Sequence, residues 1–173
     1  MDDYNIGNLY EAKNEYCARL VNILTPQIQK GIQSLFLEAK KLCFENEEES
    51  QYLVTFQNFL SRIPKWNQTI IDDETNRILS ESNCSYLEDL ITCVHICQLK
   101  ILTTVRVGQK QKRVEIDIPS LQDFIHKVYI ETARKLYSNA YLFELNVTPL
   151  NTQKNMRECE LIIRECILLV IRD

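Results

Sequence analysis

The sequence is poor in the residues that bend and interrupt a chain. It holds 3 glycines and 4 prolines among 173 residues. So few turn formers exclude a sandwich of many short strands and favour long helices. Histidine is scarce, with 2 copies, and there is no Cys-x-x-Cys pair, so the common structural zinc sites are excluded. Gly108 stands alone, without the glycine-rich surroundings of a phosphate-binding loop, which excludes the common nucleotide folds. No apolar run is long. The longest, Cys166 to Ile171, falls far short of the roughly 20 residues a membrane helix requires, so no membrane span is expected. The opening Met1-Asp2-Asp3-Tyr4 is acidic and lacks the apolar stretch of a secretory leader. A net charge of −4 gives no global field to hold the chain on nucleic acid, and any such binding must be local.

What is present is globular in kind. Hydrophobic residues make up 45% and charged residues 25%, close to average usage. One domain over residues 1–173 is the expectation, and a chain of this size buries roughly two-thirds of its unfolded surface without a staple. The 7 cysteines sit mostly in apolar helical surroundings and read as reduced thiols acting as small hydrophobes.

Apolar spacing predicts a first helix over Leu9 to Leu24, with Thr25-Pro26 restarting or kinking the chain as N-cap and first helical residue. The next helix carries Ile28, Ile32, Leu35, Phe36, Ala39, Leu42 and Cys43, and an acidic break spans Glu45 to Ser50. A helix over Gln51 to Ile63 stops at Pro64, and a weaker one follows from Asn67 to Ser82, its apolar face interrupted by Asp72-Asp73-Glu74. Ser85-Tyr86-Leu87-Glu88 reads as a capping box. It opens a helix with apolar residues on two faces, which places that helix in the middle of the bundle. Thr104 to Val107 and Arg113 to Ile118 alternate with period two and read as two strands of a hairpin with Gly108 to Lys112 as its loop. Ser120 caps a further helix, with Leu121, Phe124, Ile125, Val128 and Tyr129 inward and Lys127, Glu131 and Lys135 as an exposed charge ladder. A last helix from about Thr152 carries Met156, Cys159, Ile163, Cys166, Ile167 and Val170. It ends at its most apolar with no cap, so the native chain is expected to continue past Asp173. The fold expected is mainly α: a single-domain helical bundle with one short β-hairpin between its two longest core helices.

No catalytic set emerges from the candidate residues. Cys93 and Cys97 share a helix face while His95 points away from them, so one helix cannot bring the three to a metal ion. His126 has no sequence logic tying it to a thiol. Asp72, Asp73 and Glu74, with Glu115 and Asp117, faintly suggest a metal-dependent nuclease, but salt-bridged surface is the better reading. No catalytic residue, metal ligand or cofactor is therefore expected. Arg106, Lys110, Lys112 and Arg113 remain as a basic tip able to touch phosphates or an acidic protein surface. No aromatic residue is interleaved, which disfavours stacking on single-stranded bases.

Several stretches resemble an uncharacterised protein family of nucleocytoplasmic large (giant) DNA viruses, the relatives of mimivirus. They are Ile63-Pro64-Lys65-Trp66-Asn67, Cys84 to Leu90, Leu99 to Thr103, Asp117-Ile118-Pro119, Phe124 to Tyr129, Ala133 to Tyr137, Gln153-Lys154-Asn155 and Arg157-Glu158-Cys159. The resemblance runs from about Leu60 to the end. It implies a viral origin, a virion or host-cytoplasm setting and a short continuation with an acidic tail, and it implies no reaction. The expected function is a non-enzymatic virion structural or assembly component that binds other viral proteins, with self-association open. The alternative is a nucleic-acid-associated accessory protein that binds through the basic hairpin.

Overall fold

One helix, α1 (Asp2–Glu45), forms the spine of the protein. Its 44 residues span about 66 Å at 1.5 Å per residue. The computed structural model describes residues 2–105 and 117–172. The expected restart at Thr25-Pro26 does not occur, because α1 runs on through Pro26. A proline in a helix interior removes one amide donor and crowds the carbonyl of the preceding turn, at a cost of about 3 kcal/mol. Leu20, Leu24, Ile28 and Ile32 are all fully buried on either side of it. At about 1.5–3 kcal/mol for each such side chain, burial outweighs the proline. Thr25 turns its hydroxyl back onto the Val21 carbonyl at 2.6 Å instead of capping a new helix.

The remaining elements fold back along this spine. They are α2 (Tyr52–Arg62), α3 (Gln68–Ser82), α4 (Leu87–Val105), α5 (Leu121–Ser138) and α6 (Pro149–Arg172), with short 3-10 turns at Glu49–Gln51, Ile63–Lys65 and Ala140–Phe143. α1 packs against α2, α3, α4 and α6, and α5 packs against α2, α3 and α6 and more lightly against α4. The central place therefore belongs to α1. The helix after Ser85, expected in the middle, leans mainly on α1. Its second stripe, Ile96 and Leu99, is only half-buried. The Leu90 amide bonds the Tyr86 carbonyl at 2.9 Å, so the cap falls at Tyr86 and the Ser85 box does not form.

The hairpin expectation needs correction. Among the described residues there is no strand. Thr104 and Val105, expected to open the first strand, form the last turn of α4, and the Thr104 hydroxyl bonds the Lys100 carbonyl as a helical residue does. Asp117 and Ile118, expected to close the second strand, are neither strand nor helix. Period-two alternation over so few residues cannot outweigh continuation of a helix already formed, and a lone hairpin is marginal in water. The protein is mainly α, and α4 and α5 are not its longest helices. The rest of the expected hairpin, with Arg106, Lys110, Lys112 and Arg113, lies outside the described residues.

α5 keeps its expected register: Leu121, Phe124, Ile125, Val128 and Tyr129 are buried, and Ser120 accepts from the Asp123 amide at 3.1 Å. Its charge ladder does not form. Glu131 pairs with Arg134 at 2.7 Å, and Lys135 reaches across to Glu165 of α6 at 3.1 Å. The end of α6 is covered, since Cys166, Ile167, Val170 and Ile171 are buried, so its apolar character serves packing and not an open surface. One end of the core is aromatic: Phe36, Phe56 and Phe143 all touch one another, with ring centroids 4.6–5.4 Å apart.

Candidate functional site

One concavity lies where α1, α3 and α5 meet the link between α2 and α3. α3 turns Ile71, Thr75 and Ile78 inward. Glu74 falls on that same face, one helical turn from both isoleucines. The acidic interruption read from the sequence is therefore a carboxylate aimed at the core. Arg77 donates to Glu74 Oε1 from Nε at 2.9 Å and again from Nη2. The same guanidinium reaches the Gln27 carbonyl of α1 at 2.9 Å and Glu81 at 2.8 Å. Lys30 of α1 closes the circuit onto Glu81 at 2.9 Å.

Tyr129 brings α5 into this network. Its ring is buried and its hydroxyl donates to Glu74 Oε1 at 2.5 Å. Gly31 makes the approach possible. A Cβ there would overlap the Tyr129 hydroxyl and stand 2.9 Å from Glu74 Oε1, so no larger residue fits. Burial pushes the Tyr129 phenol well above its usual range, and the Glu74 carboxylate pushes it the same way, so the hydroxyl stays a donor. Burial works to lower Arg77, but its bonds and charge pairing with Glu74 outweigh that and hold it firmly protonated. A hydrogen bond from Lys30, supported by Arg77, holds the Glu81 carboxyl below its usual range.

Trp66, the chain's single tryptophan, forms a wall. The 3-10 turn at Ile63–Lys65 ends when the Trp66 amide bonds the Ile63 carbonyl at 3.1 Å. His126 of α5 donates from Nε2 to that same carbonyl at 2.9 Å, since a carbonyl can only accept. The His126 ring stacks on Trp66 at 6.2 Å, and Trp66 tilts over Tyr129 at 5.1 Å. Asn67 then caps α3, its side chain accepting from the Ile70 amide at 2.9 Å. The resulting pocket, about 390 Å³, is lined by Leu35, Phe59, Trp66, Ile70, Glu74 and Tyr129, with Gly31 below and Ser34, Glu38 and Arg62 toward solvent.

A second concavity is apolar. The chain after the Ala140–Phe143 turn runs between α1 and the start of α6, and the Leu145 amide donates to the Tyr52 hydroxyl at 3.0 Å. Phe36, Leu142, Phe143 and Met156 line a groove of about 230 Å³, with Leu37 and Leu145 at its rim. Leu37 is 58% exposed and Leu145 39%, high for side chains of that kind.

The residues singled out from the sequence do not assemble. Glu74 faces the first pocket, whereas Asp117 lines a separate cleft of about 470 Å³ with His95, Asp123 and His126. Asp72 accepts from Gln68 at 2.8 Å on the surface of α3. Glu115 and the four basic residues lie outside the described residues. His95 donates from Nδ1 to the Ile91 carbonyl at 2.8 Å and meets Phe124 edge-on. Among the described residues, no three His, Cys, Asp or Glu side chains are placed to share a metal ion. Gly31, Glu74, Arg77 and Trp66 were missed as a site. Their signal was present as a glycine inside an apolar helical stripe and a Glu and Arg one turn apart on another helix's inward face.

No helix among the described residues is long and apolar enough to cross a membrane. A profile described as Family of unknown function (DUF5764) matches residues 6–144. No curated protein and no solved structure matches the chain.

Proposed function

The chain belongs to the DUF5764 family of unknown function, whose profile takes in α2 to α5 and nearly all of α1, and from that premise we propose that it is a non-enzymatic interaction protein that docks another polypeptide. The observation that carries this reading is the α1–α6 groove. Its volume of about 230 Å³ suits one inserted apolar side chain, and its rim leucines stand in water. A single anchor side chain in such a slot supplies a large share of the binding energy in protein interfaces.

The resemblance to giant-virus proteins makes other viral proteins the partners and assembly of the particle the setting, in the virion or the host cytoplasm. The basic residues Arg106, Lys110, Lys112 and Arg113 would add charge complementarity to an acidic partner surface. The test is a pull-down with the tagged chain from infected cells, beside mass spectrometry of purified particles. Leu37→Asp should remove the captured viral protein while leaving the helical signal unchanged. Absence from particles, together with no viral partner, would overturn the reading.

A second reading, favoured by the four basic residues alone, is local nucleic-acid binding. It requires affinity that falls steeply as salt rises and is lost when all four are replaced by Gln.

A further inference from the structure

We infer that the pocket between α1, α3 and α5 is a binding site for a ligand carrying a cationic amine on an apolar stem. Three observations point to this chemistry. First, Glu74 is held by donors on one oxygen only. Arg77 and Tyr129 both converge on Oε1, and among the described residues no donor reaches Oε2. A half-buried carboxylate held through one oxygen keeps the other able to accept, and a charged donor makes the stronger bond to it. Second, the walls are aromatic. Trp66 offers a half-buried ring beside that carboxylate, and ring faces attract cations. The Phe59 face is taken by Arg62, 5.5 Å from its centroid, which leaves Trp66 as the ring for the ligand. Third, two of the three charged residues lining the pocket are acidic, Glu38 and Glu74 against Arg62, while Arg77 lies behind Glu74 and bonds its Oε1. An anionic ligand would meet two carboxylates.

The shape agrees with the chemistry. A volume of about 390 Å³ lies in the range of small-ligand pockets, roughly 300–1,000 Å³. Leu35 and Ile70 supply the apolar contact for a stem of several methylenes, while the ammonium meets Glu74 and the face of Trp66. The amine could be a free alkylamine or the side chain of a lysine in another polypeptide, and the two sources share one head group. The site is separate from the α1–α6 groove, and its failure or success leaves the docking proposal where it stands.

Trp66 is the chain's one tryptophan and lines the pocket, so its fluorescence reports occupancy directly. The full chain is titrated at constant ionic strength with n-butylammonium, with a short blocked peptide containing one lysine, and with n-butanol and butyrate as neutral and anionic counterparts. The expected result is a saturable change with the two amines and none with butanol or butyrate over the same range. Tighter binding of the peptide names a lysine side chain as the source, and tighter binding of butylammonium names a free amine. Glu74→Gln should weaken amine binding about tenfold or more. Because Glu74 also ties α3 to α5, the exposed Glu38→Gln serves as the second variant, and it should weaken binding several-fold with unchanged helical content. Leu37→Asp, in the other groove, should have no effect. Equal responses to butylammonium and butanol, no saturable response to either amine, or full affinity in Glu38→Gln and Glu74→Gln alike would overturn the assignment.

Discussion

By helix propensity alone Gly31→Ala looks favourable, since alanine gains about 1 kcal/mol over glycine in a helix interior. The structure reverses that expectation, because the added methyl would occupy the place of the Tyr129 hydroxyl. Gly31→Ala should therefore lower stability by about 1–3 kcal/mol, as overpacking does, measured by urea denaturation. A gain would mean that Tyr129 does not approach α1 as described. Tyr129 also sets a pH dependence. Its phenol is raised above its unfolded value of about 10, by burial first and by Glu74 second. A raised group contributes stability that is complete below the unfolded value and is lost as pH climbs toward the folded one. Thermal stability should fall above about pH 10 and fall less in Tyr129→Phe, which has no proton to lose there. None of this was legible from composition. Glu74 reads as surface charge until α1 and α5 are laid against its helix.

At the scale of the element, Pro26 shows how far local rules reach. Its neighbours Thr25 and Gln27 make a plausible cap and first turn, and local chemistry alone favours a break. A continuous α1 means instead that the proline is tolerated against its own preference. Pro26→Ala should restore one backbone bond and raise stability by up to about 3 kcal/mol, read as a higher midpoint in thermal unfolding. An unchanged or lower midpoint would argue that the helix is interrupted there. The registers of α5 and α6 were legible throughout, since a stripe of Phe124, Ile125 and Val128, or of Ile163, Cys166 and Ile167, can face only one way on a helix. The charge ladder on α5 was not. Lys135 prefers Glu165 across the helix interface to Glu131 beside it, and only packing brings that partner within reach.

At the scale of the whole molecule, α6 closes the bundle against both α1 and α5, and its thiols record that closure. Burial pushes Cys159 up to about 12 and raises Cys166 as well. A short pulse of iodoacetamide near pH 8 should leave both unmodified in the native protein and label both after denaturation, with half-buried Cys93 labelled in each case, as peptide mass spectrometry would show. Equal labelling of Cys159 in the native and denatured states would mean that α6 is not docked. From the sequence alone came the helical class, the inward faces of α5 and α6, the cap at Ser120 and the burial of most thiols. All of these follow from contacts a few residues apart or from periodicity along one helix. Tertiary packing alone decided that α1 runs unbroken and that Gly31, Glu74, Trp66 and Tyr129 share one pocket. Those outcomes depend on residues tens of positions apart, and their energies exist only once separate helices bury one another's faces.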